Sequence, residues 1–427
     1  MISRWQWLLR RLTRKLWFRA GLLSLLGIAT ALVAIVVAPL IPAELPAQIG
    51  ADAVDNILNI LASSMLVVTS FSLTTMVSAY SAATNNATPR ATKLLIEDPT
   101  SQNALSTFIG SFLYGLVGII ALSTDVYGDR GRVVLFVVTV AVILTIVVTL
   151  VRWIDHLSRL GRVGETTDRV EKAAAKAIAS RVENPYLGGR ALHDPEREIP
   201  PVARPLYCSQ VGYVQHVDVN ELSDCADKHE GEIYLTAVPG TFVDPSRPLA
   251  WLLRIDDEDA DAVVRAAFTI DDERSFKQDP RFGLSVLTEI ASRALSPAMN
   301  DAGTAIDVIG RVVRLLSVWP ADDNTRVTED VPCPRIRVPP VRLGEMFDDV
   351  FGPIARDGAG LFEVQIRLQK ALRTLAAIGD SHFAEHAARH ARYALQRAEA
   401  ALMLEEEKDR VREIAAATVR CVQGAGG

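Results

Sequence analysis

The 427-residue chain carries 45 Lys and Arg against 51 Asp and Glu, a formal net charge of −6, and 49% of its residues are hydrophobic. That acidic balance excludes a nucleic-acid binder for the soluble part, because a phosphate backbone selects clustered positive charge. The long apolar runs lie before about residue 152 and most carboxylates after it, so the chain is written for two solvents.

Residues 1–20 hold Arg4, Arg10, Arg11, Arg14, Lys15 and Arg19 without an acid, a segment suited to anionic lipid head groups. Four stretches, 21–41, 57–80, 105–122 and 133–151, meet the roughly 20-residue length that a bilayer core about 30 Å thick requires. The first is too long for a signal peptide and lacks a small-x-small cleavage site, so it is expected to stay as a helix. Residues 42–56 carry Glu44, Asp52 and Asp55 without a base, whereas Arg152, Arg159 and Arg162 follow the last span. The positive-inside rule then places both termini in the cytoplasm. No acidic or basic residue lies inside the four spans, which argues against proton-coupled transport.

The second span, "LASSMLVVTSFSLTTMVSAYSAATNN", is rich in hydroxyls. At about 100° per residue, Ser63, Ser70, Thr74, Ser78, Ser81 and Asn85 share one sector, and Ser63 to Ser81 rises about 27 Å. Such a stripe has three physical uses: bonding back to the preceding turn, contact with another helix, or lining a water-filled path. Gly110, Gly115 and Gly118 in the third span would permit close helix packing.

Beyond the membrane region of 21–152, helical spacing continues from Leu157 to Glu183, and the prolines of 187–205 read as the end of a juxtamembrane segment and linker at 153–205. Residues 206–255 change to a period of two, which predicts a small β-barrel or sandwich module. Residues 256–427 read as a helical cytoplasmic domain whose opening acids, Asp256 to Asp261, complement a helix N-terminus. Cys208, Cys225, Cys333 and Cys421 form no C-x-x-C pair, so reduced thiols are expected.

Two stretches carry a family resemblance: "ATPRATKLLIEDPTSQNALSTFIGSFLYGL" and "DDERSFKQDPRFGLSVLTEIASRALSPAMNDAGTAIDVIGRVVRLL". Together they resemble the bacterial predicted membrane proteins grouped as domain of unknown function 2254. The resemblance implies a bacterial inner-membrane protein with four N-terminal spans and a cytoplasmic C-terminal domain, and brings no activity. The matching positions are Pro89, Arg90, Asp98, Gln102, Phe108, Gly110, Phe112 and Tyr114 in the membrane half. In the soluble half they are Arg274, Gln278, Asp279, Gly283, Leu287, Ile290, Ala291, Ala294, Leu295, Ser296, Pro297, Asn300, Asp301, Thr304 and Ala305. Ala302-Gly303 depart from the family, where a Pro commonly follows the Asn-Asp pair. Physically, Ser296-Pro297 ends one helix and Asn300-Asp301 caps the next. Arg274, Gln278 and Asp279 are not explained that way, and a polar cluster at a subunit or membrane-facing surface is the other reading.

His382-Phe383-Ala384-Glu385-His386 matches the H-x-x-E-H zinc-peptidase pattern, and His390 extends it along one helix face. Arg389 and Arg392 oppose a dication, and only 41 residues follow His386 to supply a further ligand, so no metal is expected. No phosphate-binding loop, dinucleotide fingerprint, nucleophile elbow or kinase motif is present, so neither an enzyme nor a cofactor is expected. The expected partners are the lipid bilayer, further copies of the chain in a homo-oligomer, and a small ion or solute. The expected function is an oligomeric channel or passive transporter gated by its cytoplasmic domain. The alternative is a non-conducting sensor or scaffold that binds a ligand or partner through Arg274 to Thr304.

Overall fold

The computed structural model describes residues 51–123, 128–320 and 331–424, with single positions at 21, 25 and 29. The basic segment 1–20 and all but three positions of the span 21–41 lie outside the described residues. The chain divides into two compact units near Thr166.

The membrane unit is helical: α1 (Ala51–Asn86), α2 (Pro89–Ile96), α3 (Pro99–Ser123) and α4 (Gly128–Arg159). Among the described residues three helices are long and apolar enough to cross a bilayer, over Ala53–Asn86, Pro99–Ser123 and Arg132–Arg159. They run past the expected spans at both ends because helix continues into the polar flanks. Val54, Leu58, Leu61, Met65, Phe108, Tyr114 and Leu135 form their common core. The glycines of α3 set the closeness of this packing: a Cβ at Gly115 would meet Ala62 Cβ at 3.2 Å, and one at Gly118 would meet Leu58 Cδ1 at 3.0 Å. The single helix expected from Leu157 to Glu183 is broken. Gly161 takes φ +83° with its α-carbon against Ala79, where a Cβ would lie 2.9 Å from the Ala79 carbonyl oxygen, and α5 (Val163–Glu183) starts afresh.

The second unit opens on α5, whose inward face is Val170, Ala174, Ala177, Ile178 and Arg181. The expected linker contributes β1 (Arg190–Ala191) and α6 (Pro195–Glu198), followed by β2 (Arg204–Tyr207) and β3 (Gly212–Val217). Then come α7 (Val219–Lys228), β4 (Glu232–Leu235), β5 (Phe242–Val243), β6 (Pro248–Leu253), α8 (Glu258–Ala266) and β7 (Phe268–Asp271). The helix α7 interrupts the stretch read as β. Its apolar residues at Val219, Leu222, Cys225 and Ala226 are helically spaced, and Asp218 caps it by accepting from Glu221 N at 3.3 Å.

The β-region is two open sheets among the described residues, neither closed into a barrel. One has five strands in the order β1-β8-β4-β6-β2, with β8 (Ile336–Val338) parallel to both neighbours and the remaining pairs antiparallel. The other is antiparallel, in the order β5-β3-β7. Strands β1, β7 and β8 come from outside 206–255, because distant chain segments complete the edges that a fifty-residue module would leave bare. One apolar core, including Leu206, Val214, Ile233, Leu252 and Ile336, serves both sheets.

The remaining helices are α9 (Pro280–Ala294), α10 (Ala302–Leu316), α11 (Leu343–Asp357), α12 (Phe362–Ile378), α13 (Ser381–Ala401) and α14 (Glu405–Gly424). Phe347, Phe351 and Phe383 fill the space between α11 and α13. Gly283 lets α9 touch α5, since a Cβ there would fall 2.4 Å from Ala174 Cβ.

Candidate functional site

All six stripe residues, Ser63, Ser70, Thr74, Ser78, Ser81 and Asn85, lie on the exposed face of α1. Ser63 donates to Asn59 O at 2.8 Å, Ser70 to Leu66 O at 3.0 Å and Thr74 to Ser70 O at 3.0 Å. Each hydroxyl that bonds back in this way still has oxygen lone pairs facing outward. Ile60, Leu66, Val67, Phe71, Leu73 and Val77 are exposed beside them, so the face is mixed rather than a purely polar strip.

The inward polar groups of the membrane unit were not singled out by periodicity. Ser72, 1% exposed, accepts from the Trp153 indole N–H at 2.9 Å. Tyr114 and Thr139 share a hydrogen bond of 3.1 Å inside the core. Asp98 caps α3 by accepting from Ser101 N and Ser101 Oγ, each at 2.8 Å, and lies 3.0 Å from His156 Nε2. His156 Nε2 also faces Ser101 Oγ at 3.2 Å. One ring nitrogen meeting both partners closes a cap; a relay triad would use the two nitrogens for separate partners. Gln102 donates to Ile96 O at 3.2 Å, tying α3 to the end of α2, and Arg90 is exposed on α2.

Arg274, Gln278 and Asp279 come together as a knot inside the second unit. Asp279, 2% exposed, caps α9 by accepting from Arg281 N at 3.1 Å and Phe282 N at 3.2 Å. Its carboxylate also takes a two-pronged pair from Arg274, at 2.8 and 3.0 Å, while the guanidinium lies 5.3 Å from the Phe282 ring centre. Gln278 Oε1 accepts from Val217 N at 3.1 Å, and Gln278 O accepts from Arg181 at 3.1 Å. Burial pulls the Arg181 guanidinium down to about 10, partly offset by the Asp279 charge. Gly240, at φ +97°, closes the knot: a Cβ there would lie 2.4 Å from Asp279 Oδ2. Arg181 and Gly240 escaped sequence reading; the available signal was an arginine at a core position of α5.

The Ser296 to Thr304 segment is a helix-to-helix turn. Ser296 Oγ donates to Arg293 O at 2.6 Å, Asn300 takes φ +47°, and Asp301 caps α10 by accepting from Thr304 N at 3.0 Å and Thr304 Oγ1 at 2.6 Å. Those two bonds from Thr304 hold the Asp301 carboxyl below its ordinary range.

The histidines of α13 divide. His390 is buried between Phe347 and Phe351, with Nε2 3.0 Å from Asp348 Oδ1; burial, then the neighbouring Arg389, pull it down to about 4. His382 and His386 instead line a cavity of about 500 Å³, together with His193, Trp319, Arg342 and Arg389. Burial, followed by the Arg389 charge, also lowers His386. Among the described residues no group of three His, Cys, Asp or Glu side chains is placed to hold a metal ion. His193, Trp319 and Arg342 were not joined to the histidine stripe by sequence reading, since more than 120 residues separate His193 from Trp319.

A family of predicted membrane proteins, DUF2254, matches residues 13–374. The chain belongs to this family. Uncharacterized proteins of Mycobacterium bovis and Mycobacterium tuberculosis are each 26% identical over 257 residues, covering 58% of this chain and 48% of the relative. The chain thus spans about half the length of the curated relatives it matches. No solved structure matches it. Family membership and the three apolar helices together establish a membrane protein.

Proposed function

We propose that this DUF2254 protein is a homo-oligomer of the bacterial inner membrane that passes a small ion or solute, with the cytoplasmic region as its gate. The passage lies between copies, at the outward face of α1. The supporting observation is that α1 turns its hydroxyls outward while, among the described residues, Leu58, Phe108, Tyr114 and Leu135 close the interior between α1, α3 and α4. A packed core of this kind leaves no room for a hydrated path between those three helices. Hydroxyl oxygens that donate to their own helix still offer lone pairs to a passing cation. The sensor alternative through Arg274 to Thr304 draws less support, because the polar atoms there are engaged in caps and pairs.

Cysteines introduced at Ser70, Thr74 and Ser78 are expected to react with small water-soluble thiol reagents in proteoliposomes, and reaction should block solute flux. Cysteines at Leu66, Leu73 and the buried Met76 are expected to stay unreactive. Absence of flux, or reactivity at Ser70 no greater than at Leu73, overturns the proposal.

A further inference from the structure

We propose that the cavity at the start of α11 binds a small organic anion. Arg342, His382 and the first turn of α11 hold its charged group, and Trp319, Pro320 and Pro340 hold its apolar body. The inference is independent of the passage proposed above, since every residue it uses lies in the second unit.

The volume of about 500 Å³ falls within the size of small-molecule sites. The charges decide the class of ligand. Two carboxylates line the cavity, and each has a cationic partner. Glu345 shares Arg281 of α9 with Asp349, and Asp348 accepts from Arg389 at 2.7 Å and lies 3.0 Å from His390 Nε2. On the opposite side of the balance, Arg342 is exposed and its side chain makes no hydrogen bond or ion pair among the described residues. His193 and His382 likewise have no carboxylate partner among the described residues. Among the described residues the cavity therefore presents an unpaired guanidinium and two imidazoles without a carboxylate, and no carboxylate without a cationic partner.

Two further observations point the same way. No side chain caps the first turn of α11, although Arg342, Leu343 and Gly344 line the cavity there, so the positive end of the helix dipole faces the space. Finally, the His386 ring sits against Gly344, where a Cβ would lie 2.7 Å from Cε1, so glycine keeps the imidazole at the cavity wall. An indole and two prolines supply the flat apolar surface that an inorganic anion would not use.

The test uses the full chain in detergent, with phenyl phosphate as probe and inorganic phosphate and benzylamine as comparators, followed by calorimetry. Phenyl phosphate is expected to bind saturably, inorganic phosphate more weakly and benzylamine not at all. Arg342→Ala and His382→Ala should each weaken phenyl phosphate about tenfold or more, the value of one charge-assisted hydrogen bond. Both side chains are exposed, so neither variant should disturb the fold. Trp319→Ala should weaken phenyl phosphate and leave inorganic phosphate unchanged. No saturable binding, equal binding of benzylamine, or unchanged affinity in both Arg342→Ala and His382→Ala overturns the site. Inorganic phosphate binding as tightly as phenyl phosphate overturns the organic-anion assignment.

Discussion

Replacing Asp279 by Asn isolates what its charge does. The side-chain oxygen of Asn can still cap α9 by accepting from Arg281 N and Phe282 N, so the helix start survives. What is lost is the counter-charge of two guanidiniums, and the new amide N–H₂ would face the Arg274 Nε donor now 2.8 Å away. Arg274 is 21% exposed in its side chain and can turn toward water, whereas Arg181, at 3%, cannot. Removing one partner of a buried pair costs about 3–5 kcal/mol; the escape available to Arg274 places the expected loss near the lower end, about 3 kcal/mol. Adding Arg181→Met removes the stranded cation, so the double variant should be more stable than the sum of the two single losses by about 1–3 kcal/mol. Pulse proteolysis in urea, read on fragments of the second unit, measures each value. A loss below about 1 kcal/mol for Asp279→Asn, or strict additivity with Arg181→Met, would refute a charge-based role for the knot.

Below the ordinary histidine range the fold should weaken through His390. Its folded value of about 4 lies under the unfolded value of 6.5, so the unfolded chain binds more protons between them. The contribution is complete above about pH 6.5 and falls away as pH drops toward about 4, by at most about 3 kcal/mol. His390→Gln should flatten that limb of a stability-versus-pH curve; an unchanged slope would show that other groups set it. Gly283→Ala forces a methyl to within 2.4 Å of Ala174 Cβ and should cost about 1–3 kcal/mol in thermal unfolding, with partial rescue by Ala174→Gly. Ser72→Ala strands the buried Trp153 N–H, with an expected loss of about 1–3 kcal/mol, while Ser72→Thr should retain the bond; equal stability of the two variants would argue against it.

The sequence by itself determined the three apolar helices among the described residues and much of the helix punctuation, because hydrophobic run length and capping chemistry are local. Asp301 at the start of α10 and the acids at the start of α8 are of this kind: each acts within one turn of where it is written. The sector shared by Ser63 and Ser81 was also legible, since helical geometry alone puts them on one face. Which face points outward was not, because that depends on the glycines of α3 packing against Leu58 and Ala62. The β-region shows the same limit: period-two segments marked strands, yet the partnership of β8 with β1 and β4 joins residues about 100 or more apart, and nothing in a local pattern names such a partner. Helix α7 was misread because a short Val-Asp alternation precedes its cap, and only packing against the sheets selects the helical period. Arg274 and Asp279 stood close in sequence, but Arg181 and Gly240, which decide how buried that charge pair is, arrive from other elements. The cavity beside α13 is the extreme case. His382 and His386 suggested a metal stripe while they were read along one helix. Tertiary structure gave them Arg342, Trp319 and His193 as neighbours and turned His390 inward onto Asp348, because side-chain chemistry depends on what the fold brings within reach, not on spacing along one strand of sequence.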